Sequence, residues 1–126
     1  MNTAIEKPRN LAHILSEGNG NISSEIVTII SGAGALVAGT VLGKITASGK
    51  YTPSPESSTV GIEGAETATC ILAYATDASA ADVEAVVTMR LAEVKSQQLT
   101  FHSTVDNSAK ITAKHNQLAT LNIIVR

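Results

Sequence analysis

Between Ile26 and Gly43 the chain carries no charged residue, and glycines divide that run into short pieces. Eighteen uncharged residues reach the lower limit of a membrane-crossing helix, and Gly39 and Gly43 form a G-x-x-x-G pair. The same stretch holds Gly32, Gly34, Gly39 and Gly43 with interspersed Ser and Thr, and Gly32-Ala33-Gly34 splits it. Two short β-branched strands joined by a turn fit this pattern better than a membrane helix. The core of the run is Leu36 to Ile45, read as a central strand and bend, with Gly39 and Gly43 where a strand turns or another backbone comes close.

The flanking segments supply further strands. Ile26–Ile30 is β-branched and apolar, Lys50–Thr52 is briefly extended, and Thr69–Ala75 reads as a buried strand. Pro53, Pro55, several serines, Gly61 and Gly64 mark residues 53–67 as a loop with a short extended piece at Val60–Ile62. Asp77–Asp82 reads as a turn, Val83–Met89 as a strand, Ala92–Lys95 as another, and Leu99–Phe101 as a short one. The period then changes. Asp106, Asn107 or Ser108 is placed to cap a helix that carries Ile111, Ala113, His115 and Leu118 and ends near Ala119. Leu121–Val125 closes the chain as a strand. No internal repeat is visible.

Composition narrows the function. With 126 residues the chain can bury one core, and 44% apolar against 16% charged residues describes a globular domain. A net charge of −2 argues against a nucleic-acid surface. Phe101, Tyr51 and Tyr74 are the only aromatics, too few for base-stacking or sugar-binding shelves. The N-terminus, with Glu6, Lys7, Pro8 and Arg9, lacks the apolar stretch of a signal peptide. Cys70 stands alone, so no intrachain disulfide forms. Between Thr69 and Ile71 it reads as a small buried hydrophobe in a protein made in a reducing cytoplasm.

Sites of chemistry are absent as patterns. Gly39 to Ile45 is one residue short of a phosphate loop, and Ile45 stands where that loop needs a hydroxyl. Val37 occupies the third glycine of a dinucleotide fingerprint. His13, His102 and His115 lack metal-ligand spacing and read as surface or partly packed residues. Asp77 and Asp82 read as turn caps, and no serine sits in a nucleophile-elbow context. The expectation is a non-enzyme without cofactor or metal.

The order of pieces carries a resemblance. A polar N-terminal arm precedes Ser24-Glu25 and a strand; then come Ala38-Gly39-Thr40-Val41-Leu42-Gly43-Lys44-Ile45 and Gly49-Lys50-Tyr51. Ile71-Leu72-Ala73-Tyr74, Asp77-Ala78, Val86-Val87, Arg90-x-Ala92-Glu93-Val94, a helix and Ile123-Ile124-Val125 follow. From about Leu15 to Arg126 this resembles the head decoration proteins of tailed bacteriophages, the lambda-type capsid decoration protein D family. The resemblance implies a mainly β domain with one short C-terminal helix, a β-tulip. It implies homotrimers on the outer surface of an expanded head, bound to the major capsid protein and cementing it against DNA pressure, without nucleic-acid or membrane partners. Residues 1–15 would be a loose arm ahead of a single domain at 16–126. The arm would order on the shell through Asn2, Thr3, Ala4, Ile5, Leu11, Ile14 and Leu15, reversing the frayed terminus that composition alone favours. The other reading is a small β-barrel ligand-binding or accessory module with an apolar pocket beneath the 53–67 loop.

Overall fold

The structure, a computed structural model, describes residues 9–19 and 22–126. It is mainly β with one helix near the C-terminus. Among the described residues ten strands run β1 (Ile14–Glu17), β2 (Ser24–Ile29), β3 (Gly34–Leu36), β4 (Val41–Lys44), β5 (Tyr51–Pro53), β6 (Ala68–Leu72), β7 (Thr76–Ala78), β8 (Val83–Thr88), β9 (Ala92–Val94) and β10 (Ile123–Val125). Helix α1 spans Ser108–Ala119. Strands β2, β5, β4, β6 and β8 close into a small barrel, while β1, β9 and β10 form a second sheet and β3 pairs with β7.

Strands β4 and β6 sit at the centre because neighbouring residues on each face opposite sides. Leu42, Cys70 and Leu72 point into a barrel core with Ile29, Tyr51 and Val87. Val41 and Ile71 point the other way, into a second core with Val94, Leu118 and Ile123. The uncharged run is thus divided among β2, β3 and β4, and no helix among the described residues is long and apolar enough to cross a membrane.

Both glycines of the central stretch are required. Gly39 has φ +93°, and a Cβ there would strike the Gln98 carbonyl. At Gly43 a Cβ would overlap the Ala65 carbonyl, where the long loop crosses β4.

Five local expectations are corrected. Asp77–Asp82 is not all turn, because Thr76–Ala78 pairs with Gly34–Leu36 as β7, a distant partner overriding local turn chemistry. Leu99–Phe101 is reduced to one bridge, Thr100 with Thr40, since the turn at Gly39 carries the partner strand away. Val60–Ile62 is not extended: Ile62 N–H donates to the Thr59 carbonyl at 3.1 Å, and Gly61 has φ +91°. On α1 the buried residues are Lys114 and Leu118, one turn apart, whereas Ala113 is exposed. His13 is not a surface or partly packed residue; it is 1% exposed.

Candidate interaction surface

The lead-in to β1 is built from local hydrogen bonds. Leu11 adopts φ +62°, a left-handed turn that aims its N–H at the Ala73 carbonyl, 2.8 Å away. Asn10 Oδ1 accepts from Ala75 N–H at 2.9 Å. His13 follows, with Nε2 3.0 Å from Thr88 Oγ1, and its backbone carbonyl accepts from Lys95 N–H at 2.7 Å. Burial pushes the His13 imidazole down to about 4, so it is neutral near pH 7.

Strand β1 then runs antiparallel to β9, with Ile14 opposite Val94 and Ser16 opposite Glu93. A bulge between those pairs displaces Leu15, which is 49% exposed. Of the arm residues expected from the sequence, Leu11, Ile14 and Leu15 therefore lie together on this lead-in, held to the body. The arm boundary at residue 15 falls inside β1. Asn2, Thr3, Ala4 and Ile5 lie outside the described residues.

Strand β1 occupies the sheet edge in the order β1-β9-β10, so its outer side is open among the described residues. Beside it a shallow groove of about 290 Å³ is lined by Ser16, Gly18, Leu91 and Ile124. Ile22, Leu91 and Ile124 are all exposed there, and Leu91 has φ +53°. Sequence reasoning missed these three. Their separation in the chain hides them, and the sole local clue is an apolar residue flanking a turn.

The groups with reactive potential are spent on structure. Cys70 is fully buried and burial pushes its thiol up to about 12, far from a nucleophilic thiolate. Asp77 accepts from Ser79 N–H at 3.0 Å and from its hydroxyl at 2.6 Å, which holds its carboxyl below the usual range. Asp82 does not cap its own turn. It accepts from Lys50 Nζ at 2.6 Å and Ser31 N–H at 2.8 Å, tying two loops together and lowering its pKa. No group of three or more His, Cys, Asp or Glu residues that could hold a metal ion occurs among the described residues.

Beneath the 53–67 loop there is a lysine where the alternative reading placed a pocket. Lys114 Nζ donates to Ser54 Oγ at 2.9 Å, the Pro55 carbonyl at 2.6 Å and the Glu66 carbonyl at 2.5 Å. Three donors meet three acceptors, so the ammonium is satisfied while burial lowers its pKa. A cavity of about 720 Å³ opens elsewhere, beside β2, and none of its lining comes from residues 53–67.

An open sheet edge, an apolar rim and titratable groups committed to loop anchoring are the makings of a structural protein that docks through its surface. Comparison with protein families agrees: the family described as bacteriophage lambda head decoration protein D matches residues 3–123, and the chain belongs to it. A comparison with curated proteins found no match. The family is one of structural phage head proteins and not of enzymes. Membership carries a capsid-decoration role, association with the phage capsid and a place in the virion.

Proposed function

We propose that this chain decorates an expanded phage head as a homotrimer on its outer surface. There it cements neighbouring copies of the major capsid protein against the pressure of packaged DNA. The observation that carries the reading is the edge position of β1, with Leu15 exposed at its bulge. Residues preceding β1 continue from an open sheet edge, and a strand of the shell protein can extend that sheet by backbone pairing. Each arm alone binds weakly; three arms on one trimer bind with a much higher effective affinity. Synthesis in the reducing host cytoplasm suits the single buried Cys70.

The test is co-sedimentation with expanded, undecorated heads. Saturable binding that makes the heads resistant to heat supports cementing; absence of saturable binding overturns it. Removing residues 2–8 spares every contact described above for residues 9–17. The truncated protein should keep its unfolding midpoint and lose about a hundredfold in head affinity. Unchanged affinity would remove the arm from the reading while leaving decoration intact.

A further inference from the structure

The loop between β5 and β6 is held at both ends and shaped along its length. At its base Lys114 Nζ grips Ser54 and Pro55 on one side and Glu66 on the other, and Ser54 Oγ donates to the Ala65 carbonyl at 2.6 Å. Ala65 is fully buried against Gly43, and Thr46 N–H donates to the Glu63 carbonyl at 3.0 Å. Toward the tip, Ile62 N–H donates to the Thr59 carbonyl at 3.1 Å, and Glu63 Oε1 accepts from Gly61 N–H at 2.6 Å. Gly61, with φ +91°, makes the turn. The residue carried at that tip is Val60, 96% exposed. A lone exposed apolar residue is common, but here a set of hydrogen bonds fixes the loop that presents it. A knob held in place in advance loses little freedom on docking.

The cavity of about 720 Å³ beside β2 is a socket of matching character. Lys44, Tyr51, Thr69 and Met89 line it, and by their strand registers they share one end of the barrel. Val27 and Leu121 add to its apolar wall. It opens there because β2 meets β5 at the single register Ile29–Tyr51, which leaves Glu25 to Thr28 along the rim. Of the charges around it, Glu25 is paired with Arg90, whereas Lys44 and Glu84 have no ion-pair partner among the described residues. The 53–67 loop carries Glu56, Glu63 and Glu66 and no base. Glu63, three residues from Val60, is exposed, as is Lys44. An acidic loop is drawn to the Lys44 side of the socket and repelled from the Glu84 side, which sets its direction of entry.

Knob and socket lie side by side, since the loop passes over Gly43 and Thr46 and the socket begins at Lys44. Val60, being almost wholly exposed, does not fill the socket of its own chain. Two different surfaces that fit each other make a heterologous contact, the kind that closes as a ring in a trimer. We infer that the Val60 tip of one copy seats in the barrel-end cavity of the next copy around the trimer, with Glu63 against Lys44 of the partner subunit. This rests on the trimer of the proposed reading. One loop tip covers well under the roughly 1,000 Å² that a stable interface needs. The contact therefore forms among copies gathered on a head, where neighbours are at high effective concentration, and it joins them sideways.

The experiment labels Val60→Cys with a benzophenone maleimide in the full-length chain; Cys70 is fully buried and stays unlabelled. Labelled, isotopically heavy chains are mixed as a minority with unlabelled chains, used to saturate expanded heads, and illuminated. The expected product is a heavy–light dimer joined at the segment holding Val27 or the one holding Met89. With every chain labelled, products should stop at three chains. Glu63→Lys in the labelled chain should lower the dimer yield about fivefold, and Lys44→Glu in the unlabelled chains should restore it. Position 60 faces solvent, so the labelled chain should keep its unfolding midpoint. Cross-links only to the shell protein, to the labelled chain itself or to another face of the neighbour would each overturn the inference. So would products longer than three chains, or a yield indifferent to both charge reversals. Saturation of heads by the native chain is measured separately. Its failure removes decoration, whereas saturation with cross-links only to the shell leaves decoration standing and removes this contact.

Discussion

At the scale of single residues, two buried basic side chains dominate what can be tested. His13 is neutral in the folded chain because burial lowers its pKa from 6.5 to about 4. In the unfolded chain the imidazole takes a proton near 6.5, so between these values the unfolded state binds more protons. Stability is therefore full above pH 6.5 and falls as the pH drops toward 4, by up to about 3 kcal/mol. Urea midpoints measured from pH 7.5 to 5 should decline in the native chain and decline less in His13→Gln. His115, also lowered by burial, keeps some slope in that variant. A midpoint flat across that range in the native chain would show that His13 titrates normally. Lys114 poses the opposite case. Lys114→Met keeps the stem and removes the ammonium, leaving Ser54 Oγ and two carbonyls without their donor. The expected loss is about 3 kcal/mol, read by urea unfolding at pH 7. Neither residue declares itself in the sequence, where nothing local marks a histidine in a polar arm or a lysine in a helix as buried. Their partners lie at Thr88 and at Ser54 to Glu66, far along the chain. Gly39 and Gly43 were legible, because only glycine suits a left-handed turn or a carbonyl pressed against Cα.

At the scale of elements, legibility followed how local the cause was. Helix α1 was foreseen with its end near Ala119, and Asn107 proves to be the cap, its Oδ1 accepting from Lys110 N–H at 3.0 Å. Asn107→Ala should cost about 1 kcal/mol, while Asp106→Ala should cost less, since its carboxylate pairs with Lys110 at the surface. Equal losses from the two variants in thermal unfolding would contradict that assignment. Strands β2, β6 and β8 announced themselves as β-branched runs. Strands β3 and β7 did not, because their three-residue pairing is set by a partner some forty positions away. The pairing of β2 with β5 at the single register Ile29–Tyr51 was equally hidden, since the sequence marks a strand but not its neighbours.

At the scale of the whole molecule, the question is whether the barrel and the second sheet behave as two units or one. They have separate apolar cores, but β4 and β6 contribute to both, and adjacent residues of one strand divide between them. Leu72 fills the barrel core and Ile71, its neighbour in sequence, fills the core under α1; both are fully buried. A strand cannot leave one core while staying in the other, since each residue pair of β6 shares one backbone. Removal of either side chain should therefore weaken the entire molecule. Leu72→Ala and Ile71→Ala should each lower stability by about 3 kcal/mol. Each should keep a single transition with an unchanged denaturant slope, followed equally by helix circular dichroism and by hydrogen exchange of barrel amides. If Ile71→Ala released α1 and the second sheet while the barrel amides stayed protected, the molecule would be two weakly joined parts. The proposed cementing role is better served by the first arrangement. Force applied through β1 and β9 then reaches the barrel through the shared strands β4 and β6 rather than through a hinge.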